Sequence, residues 1–400
     1  MTNVCKILML VENGAVPKDS RVWPEACALR DMGCQVSVIC PRESPRYAEP
    51  YICLEGIHIY RYRLPVSETS SAAYMLEYGI SVLMTFLLSL KVLFLHGFDV
   101  IHAANPPDLF FLIGAFYRLL GKKFVFDQHD LTPELFLVKS GGRMKLIYRL
   151  LLFCEWCTYR TAHIVITTNA SQQRKAIERG GCALDKVFVV RNGPDLLRMK
   201  PTIPEPVLKA GRRYLLAYVG VMAAQDGLEY ALYALHQLVH ERGRRDILLV
   251  LMGEGDAVPT LQALTRQLEL DEYVRFTGWL EHPEMLRYLT VADMGLSPDP
   301  KNGLNEYSTM VKVLIYMALG KPIVAFDLPE TRVSAQEAAL YAQPNRVEDF
   351  ADKIAMLLDD EEMRTCMGAY GRRRMEEALN WEQSKHQLLL AYKALLPRRF

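Results

Sequence analysis

Strand-like apolar runs alternate with longer helix-like segments along this chain, and the alternation occurs twice. The first series comprises KILMLV (6–11), QVSVIC (35–40), IHIYRY (57–62), DVIHAA (99–104), KFVFDQ (123–128) and HIVITT (163–168). The second series comprises YLLAYVG (214–220), ILLVLMG (247–253), VRFTGW (274–279), MGLSPD (294–299) and PIVAFD (322–327). Apolar strands separated by helices form parallel sheets that are covered on both faces. The sequence therefore predicts an α/β protein with two doubly wound, Rossmann-like domains.

The segment between the two series is rich in residues that form turns and linkers. Asn192-Gly193-Pro194-Asp195 is followed by the proline-rich PTIPEP (201–206), and both patterns are typical of a domain boundary. A chain of 400 residues also exceeds the size of one ordinary core. We predict a first domain over 1–196, a second over 197–376, and a C-terminal helix within 377–400 that packs back on the first domain.

Composition argues against several classes of protein. The net charge of +1 gives no electrostatic reason to expect a nucleic-acid partner. Nine cysteines are scattered without a repeating frame and without a secretory signal, so we expect reduced thiols in a cytoplasmic protein. Cys154 and Cys157 form a CxxC pair with no second pair, and a zinc site needs four ligands. No metal site is predicted.

One stretch, ISVLMTFLLSLKVLFL (80–95), has the composition of a membrane segment. It is shorter than the roughly 20 apolar residues that a span needs, and Lys91 lies inside it. Two interpretations stay open: a helix packed in the core, or a helix in peripheral contact with a membrane surface. The first 200 residues carry an excess of basic over acidic side chains, which would favour an anionic surface at the inner face of the cell membrane.

The loop after the first strand is a candidate ligand contact, because ligands of doubly wound sheets bind beyond the carboxyl ends of the strands. It contains Asn13, Gly14, Lys18 and Arg21. Gly14 lets the backbone approach a ligand closely, and the polar side chains suit an anionic group. The loop does not have the GxGxxG pattern of a dinucleotide site. An ordinary strand-to-helix turn stays an alternative.

Two neighbouring strands of the first domain end in polar residues. Asn105 and Asp108 follow one strand, and Asp127, His129 and Asp130 lie at the end of the next. A histidine in such a position can bond a sugar hydroxyl or stabilise charge in a cleft, although a lone histidine is more often structural. The spacing matches neither H-x-E nor HExxH, which again argues against a bound metal.

Glycines mark the corresponding strand ends in the second domain. Gly220 ends the first strand, Gly253 and Gly255 follow the second, and Gly278 follows the third. Each glycine alone is weak evidence, because glycine is common in turns. Together they predict a wall where backbone approaches a phosphorylated ligand closely.

A helix with a polar beginning follows these strands. Ser308 and Thr309 can cap a helical run that Gly320 and Pro322 end. The free N–H groups and the positive dipole end at such a helix start favour a phosphate. Lys312, one turn inside the helix, would add a counter-charge, unless it lies on a solvated face.

The order of motifs resembles that of the retaining glycosyltransferases of family 4, which have the GT-B architecture. The resemblance covers nearly the whole chain and is strongest to bacterial enzymes of surface-polysaccharide assembly. The matching segments are 19–41, 126–134 (FDQHDLTPE), 189–195 (VVRNGPD), 218–235, 251–256 (LMGEGD), 274–280 and 308–332.

This resemblance implies two Rossmann-like domains that face a central cleft, a nucleotide diphosphate sugar as donor, and a glycan or lipid-linked acceptor. It implies retention through an oxocarbenium-like state without a metal cofactor, with the leaving phosphate helping to deprotonate the acceptor. His129 matches the histidine that contacts the donor sugar. The expected donor-binding residues are Gly14, Gly220, Gln225, Glu306, Ser308, Thr309 and Lys312. The expected acceptor-side residues are Arg21, Asn105 and Asp130.

The chain departs from the family pattern in the second domain. The two glutamates usual around this helix align with Tyr307 and Ile315, and the second of them normally accepts hydrogen bonds from the ribose. Glu306 lies beside the first position. The basic pair often found after the first strand of this domain is replaced by Val221 and Asp226.

Two other functions stay open on these grounds. Ile315 and Asp226 favour a non-catalytic GT-B relative that acts as a scaffold or as the partner subunit of another glycosyltransferase. A nicotinamide-dependent oxidoreductase is a more distant alternative, because both the GxGxxG loop and its downstream acidic residue are missing.

Overall fold

A computed structural model describes residues 4–42, 47–64 and 71–397 of the chain. The chain forms two compact units, Met1–Arg191 together with Ser384–Phe400, and Asn192–Gln383. The second unit thus extends past the predicted boundary at residue 376, because Leu379 packs in its core.

The first unit contains an eight-stranded sheet in the order β3-β4-β2-β1-β5-β6-β7-β8. All pairs are parallel except β3 with β4. The strands are β1 (Lys6–Leu10), β2 (Gln35–Pro41), β3 (Tyr51–Leu54), β4 (Ile57–Tyr62), β5 (Val100–Ala104), β6 (Lys123–Gln128), β7 (Ile164–Thr167) and β8 (Val187–Val189). The helices are α1 (Val22–Asp31), α2 (Ser71–Leu95), α3 (Phe111–Leu119), α4 (Thr132–Lys139), α5 (Lys145–Thr161) and α6 (Ala170–Glu178).

The second unit contains a six-stranded parallel sheet in the order β11-β10-β9-β12-β13-β14. The strands are β9 (Tyr214–Val219), β10 (Ile247–Met252), β11 (Val274–Gly278), β12 (Met294–Ser297), β13 (Ile323–Phe326) and β14 (Ala339–Ala342). The helices are α7 (Leu228–His236), α8 (Val258–Gln267), α9 (His282–Val291), α10 (Val311–Ala318), α11 (Pro329–Ala335), α12 (Val347–Asp359) and α13 (Glu361–Arg374). A last helix, α14 (Trp381–Leu395), runs from this unit into the first.

The predicted α/β class and both parallel sheets are confirmed, and every predicted strand is present within a few residues. Three strands were not predicted: β3, β8 and β14. Each lies at the edge of its sheet and has only three or four residues. An edge strand has one neighbour and is partly exposed, so its sequence lacks the continuous apolar run that marks a central strand.

Candidate functional site

In the first unit, a buried carboxylate at the end of β6 is surrounded by basic side chains. Asp127 accepts hydrogen bonds from Nη2 of Arg21 at 2.6 Å and from Nε of Arg21 at 3.1 Å. Nη1 of Arg21 donates to the carbonyl of Val190 at 2.8 Å. Burial alone would raise the pKa of Asp127, but Arg21 and His129 hold it well below its usual value. Asp127 is therefore ionised at neutral pH.

His129 is oriented by this carboxylate. Its Nε2 lies 2.6 Å from an oxygen of Asp127, and its backbone N–H donates to the side-chain oxygen of Asn105 at 2.7 Å. Burial lowers the pKa of His129, but the charge of Asp127 outweighs burial and raises it above the ordinary value. The imidazolium form donates from both ring nitrogens. Since Nε2 faces Asp127, Nδ1 is the nitrogen through which His129 can donate to a ligand.

A second histidine joins the same carboxylate to the C-terminal helix. Nε2 of His102 lies 3.4 Å from Glu25 and 3.5 Å from Asp127. Nδ1 of His102 is hydrogen-bonded to the hydroxyl of Tyr392 on α14 at 2.9 Å. Burial lowers the pKa of His102, but the Asp127 and Glu25 carboxylates raise it to about 9. No sequence spacing links Tyr392 to a residue 290 positions earlier.

Glu25, His102 and Asp127 bring three oxygen or nitrogen ligand atoms within 4.8 Å of one another, a grouping that could hold a metal ion. Arg21 lies 2.6 Å from Asp127 and 3.3 Å from Glu25. A divalent cation at this point would face the fixed charge of the guanidinium at short range. The chemistry of the site therefore fits an internal ion-pair cluster better than a metal centre.

The structure corrects two predicted acceptor contacts. Arg21 is buried and its guanidinium contacts Asp127, Glu25 and the Val190 carbonyl, so it positions the cluster and is not exposed to an acceptor. Asn105 is also buried; its amide nitrogen donates to Asp108 and to the Asp130 carbonyl, each at 2.8 Å. Both side chains hold neighbouring loops in place.

The remaining first-unit predictions concern Asp130 and the loop after β1. Asp130 is partly exposed, and burial raises its pKa; its contact with an acceptor stays a prediction. A Cβ added to Gly14 would lie 3.0 Å from the Asp19 carboxylate, so this loop is tightly turned. Glu12, at the end of β1, was not singled out from the sequence. Burial, with the charge of Glu77, raises its pKa to about 7, which makes it a further candidate for acid–base chemistry.

In the second unit, the loops after β9 and β10 lie against each other. A Cβ on Gly253 would lie 1.9 Å from the carbonyl oxygen of Gly220, and one on Gly255 would lie 2.2 Å from that of Met222. The φ angles of Gly220 and Gly253 are +149° and +145°. Only glycine permits this close approach of backbone. These glycines are thus required for the packing of the two loops, and a close approach of their backbone to a phosphorylated ligand stays a prediction.

Lys312 is held by two carboxylates behind these loops. Its Nζ lies 2.6 Å from Asp299 and 3.4 Å from Asp226, and 4.8 Å from the centre of the Tyr218 ring. Burial lowers the pKa of Lys312, but Asp299, Tyr218 and Asp226 raise it well above its usual value. The side chain is buried and not on a solvated face. Its charge is offset by two aspartates, which weakens its predicted role as a counter-charge for phosphate.

The helix start differs from the prediction. Helix α10 begins at Val311 with Met310 as N-cap, and Met310 makes no capping hydrogen bond through its side chain. Ser308 instead donates its hydroxyl to the Leu304 carbonyl at 3.0 Å. The prediction that Ser308 or Thr309 caps this helix is therefore wrong. The bond of Ser308 within the preceding turn takes its hydroxyl away from the helix end.

Glu306 and Gln225 lie near the same turn. Nζ of Lys301 lies 3.5 Å from the partly exposed Glu306. The amide nitrogen of the buried Asn305 donates to the carbonyls of Gln225 and Pro300, each at 2.9 Å. Asn305 thus joins the loop after β9 to the loop after β12. Contacts of Glu306 and Gln225 with a nucleotide-sugar donor stay predictions.

Ile315 lies on α10 with a partly buried side chain that packs against the core of the second unit. An isoleucine packed there can offer no hydrogen bond to a ligand. Ile315, which stands where the family usually has a glutamate, is therefore part of the packing of the second unit.

Two family models match most of the chain. The model described as Glycosyltransferase Family 4 matches residues 22–198, and the model described as Glycosyl transferases group 1 matches residues 213–360. These matches fall on the two separate doubly wound units.

Curated relatives are similar over part of their length. The α-D-kanosaminyltransferase of Streptomyces kanamyceticus is 29% identical over 39% of this chain and 39% of its own. A GDP-mannose-dependent mannosyltransferase of Corynebacterium glutamicum, which acts on monoacylated phosphatidylinositol monomannoside, is 27% identical over 48% of this chain and 52% of its own. The chain spans about half the length of the curated relatives it matches.

Solved structures share the fold over nearly the full chain. Sucrose-phosphate synthase from Thermosynechococcus elongatus superposes with a TM-score of 0.79 at 17% identity, covering 98% of this chain and 99% of that one. HepE of Anabaena in complex with UDP superposes with a TM-score of 0.71 at 16% identity, covering 97% and 100%. At these identities the likeness establishes the architecture of the two units.

Proposed function

The chain belongs to the GT-B glycosyltransferases, and from this premise we propose that it transfers a hexose from a nucleotide diphosphate sugar to a glycan or lipid-linked acceptor. The observation that carries the proposal is the pair of family matches, one on each doubly wound unit. The name of the mannosyltransferase relative specifies a nucleotide sugar and a lipid-linked acceptor, which supports both halves of the proposal.

His129 is the candidate catalytic group. Asp127 orients its ring through Nε2 and raises its pKa. The imidazolium then donates from Nδ1 to a sugar hydroxyl and places positive charge near the donor. Such a preorganised hydrogen-bond donor stabilises the negative charge that develops on the leaving diphosphate in the transition state.

In the second unit, the packed loops at Gly220 and Gly253 bring backbone close to the place where a diphosphate would bind. The backbone N–H groups at the start of α10 are the matching electrostatic partners. Since Asp299 and Asp226 offset the charge of Lys312, we assign diphosphate binding mainly to backbone donors.

We further propose retention at the anomeric carbon and no metal cofactor. The ion pairs of Arg21 with Asp127 and Glu25 support the proposal that no metal binds in the first unit. In this scheme the leaving phosphate oxygen accepts the proton of the acceptor hydroxyl as the new glycosidic bond forms on the same face. We place the protein in the cytoplasm, at the inner face of the cell membrane, where a lipid-linked acceptor would be reached.

A panel of nucleotide sugars tests the proposal. The full chain is incubated with uridine, guanosine and adenosine diphosphate sugars, with and without a chelator, and slow donor hydrolysis is measured by nucleotide release. We expect release from one class of donor, unchanged by the chelator and lost in His129→Gln. The matched control is His386→Gln, on the C-terminal helix.

If no donor is bound in calorimetry and none is hydrolysed, the transferase proposal fails and the non-catalytic alternative takes its place. That alternative is less favoured, because the Streptomyces and Corynebacterium relatives are both named as transferases. Hydrolysis that stops when the chelator is added would agree with the transferase proposal but would contradict catalysis without a metal.

A further inference from the structure

Helix α2 packs against the first unit with its polar side chains inward. Ser81, Thr85 and Ser89 are fully buried and recur at every fourth residue, so they share one face of the helix. The hydroxyl of Ser81 is hydrogen-bonded to Tyr62 at 2.6 Å, and that of Ser89 to Tyr117 at 2.9 Å. These bonds fix which face of α2 meets the domain.

The opposite face of α2 is apolar and exposed. Leu83, Leu87 and Phe94 are 57%, 50% and 85% exposed, and helical geometry places them on the side away from Ser81 and Thr85. The apolar segment is longer than the stretch 80–95, which is predicted from the sequence to be too short for a span. Leu76–Leu95 could cross a membrane by length and composition alone, and only 22% of its most apolar part is buried. This is the reverse of the usual surface helix, whose apolar stripe faces the core.

Two further helices continue this exposed apolar surface. The Phe86 and Phe116 rings pack edge to face at 5.2 Å and join α2 to α3. Nη1 of Arg118 on α3 donates to the Thr161 carbonyl at the end of α5, at 2.8 Å. The three helices therefore form a continuous layer on one unit.

We call the exposed apolar side chains of this layer the apolar face. On α2 they are Leu76, Leu83, Leu87, Phe94 and Leu95; on and just after α3 they are Leu112, Phe116, Leu119 and Leu120; on α5 they are Leu146, Leu150, Phe153 and Trp156. About half of the large exposed apolar side chains in the described chain belong to these three helices. Contiguous exposure of this size marks an interaction surface.

The exposed charges on α3 and α5 have one sign, while α2 carries the exposed Lys91 and the partly exposed Glu77. Exposed basic residues lie on all three helices: Lys91, Arg118, Lys145, Arg149 and Arg160. On α3 and α5, both described throughout, the one acidic residue is Glu155, which is buried and paired with Arg179. The Arg160 guanidinium lies 5.8 Å from the centre of the Trp156 ring. Tryptophan beside a basic residue is typical of the interface between lipid and water.

We propose that the apolar face of α2, α3 and α5 docks on a bilayer that contains anionic lipid, with the apolar side chains in the acyl boundary and the basic residues at the headgroups. A second copy of this chain would fit the apolar face less well than a bilayer does. A two-fold interface would bring the same basic residues of both copies together with no exposed acidic residue on α3 or α5 to pair them. The inference deepens the proposed function, since it rests on a lipid-linked acceptor, but lipid binding can be measured without any transfer.

Vesicle co-sedimentation tests the proposal with the full chain. Vesicles of phosphatidylglycerol mixed with phosphatidylcholine are compared with vesicles of phosphatidylcholine alone, at low and high salt. We expect binding to the anionic vesicles that weakens with salt. The double change Leu83→Ser and Leu87→Ser should lower the partition coefficient at least about tenfold for each leucine, given the transfer free energy of a leucine side chain.

Charge is tested with Lys145→Ser and Arg149→Ser, which should lower binding to anionic vesicles about fivefold each. The matched controls are Leu197→Ser and Arg266→Ser, exposed residues of the second unit, which should bind as the unchanged chain does. Thermal unfolding is measured for each variant, and the midpoint should not fall, because every altered side chain is exposed.

Three results would overturn the proposal. The first is a chain that stays in solution with anionic vesicles at low salt. The second is equal binding by the Leu83→Ser, Leu87→Ser variant. The third is a dimer that this variant dissociates, without vesicle binding, which would assign the face to a second copy. Donor hydrolysis in the absence of lipid is recorded in parallel, so that failure of docking and failure of the transferase proposal are distinguished.

Discussion

Nε2 of His129 lies 2.6 Å from a carboxylate oxygen of Asp127, and the same carboxylate receives the Arg21 guanidinium. One buried anion therefore orients the candidate catalytic histidine and neutralises a buried arginine. If the histidine turned away from this orientation, Arg21 and the more distant His102 would be left as the basic partners of the carboxylate.

Asp127→Asn should reduce both stability and transfer. The amide keeps the shape but removes the charge, which leaves the buried Arg21 without its closest carboxylate partner and lowers the pKa of His129. We expect a loss of about 3–5 kcal/mol in the free energy of unfolding, as for other buried pairs that lose one partner, measured by urea denaturation. Asp185→Asn, at an exposed position in the same unit, is the control. An unfolding free energy equal to that of the unchanged chain would contradict the structural role of Asp127.

The stability of the first unit should depend on pH through His102. Its pKa is raised from 6.5 to about 9 in the folded chain. A raised pKa means that the folded state binds the proton more tightly than the unfolded state. The stabilisation is therefore complete below pH 6.5 and is lost as pH rises to about 9. The size of the loss is up to about 3 kcal/mol.

His102→Gln tests this dependence, because glutamine keeps hydrogen-bonding capacity but does not titrate. Urea denaturation is measured between neutral and alkaline pH for both chains. The unfolding free energy of the unchanged chain should fall across this range, and the curve of the variant should be flatter. Parallel curves would mean that His102 is already neutral in the folded chain.

Lys312→Met should destabilise the second unit. Methionine fills much of the same volume but leaves Asp299 and Asp226 without their common cation. We expect a loss of about 3–5 kcal/mol in the free energy of unfolding, with Lys301→Met, at an exposed position, as control. Should the variant keep its stability, the two aspartates must be neutral or solvated in the folded state.

Gly253→Ala should disturb the packed loops after β9 and β10. The new Cβ would lie 1.9 Å from the Gly220 carbonyl oxygen, so one loop must shift. We expect weaker binding of a nucleotide diphosphate in calorimetry. Gly303→Ala is the matched control, because a Cβ there has nothing within 4 Å. Undiminished nucleotide binding by the Gly253 variant would place the diphosphate elsewhere.

Ile315→Glu should raise the affinity for a nucleotide diphosphate if the ribose faces this side chain. A hydrogen bond to a carboxylate is worth about 1.5–3 kcal/mol, equivalent to roughly a ten- to hundredfold change in the dissociation constant. Ile315→Leu keeps the apolar packing and should leave the affinity unchanged. Calorimetry that finds no gain for the glutamate variant would place the ribose away from α10.

The sequence by itself determined the two doubly wound units, because central parallel strands must be apolar along their whole length and their helices must separate them. It also identified the strand ends where polar residues and glycines gather, including Asp127, His129, Gly220 and Gly253. These features are local, and each follows from residues close together in the chain.

The tertiary structure alone decided the roles of side chains whose partners lie far away. Arg21, predicted to meet an acceptor, pairs with Asp127 over 106 positions, and His102 bonds Tyr392 over 290. Lys312 pairs with Asp299, 13 positions earlier, and also with Asp226, 86 positions earlier. The direction in which α2 faces was likewise undecided by its composition, since an apolar helix suits either a core or a membrane. It was settled by Tyr62 and Tyr117, whose hydroxyls bond the buried Ser81 and Ser89 and leave the leucines outside.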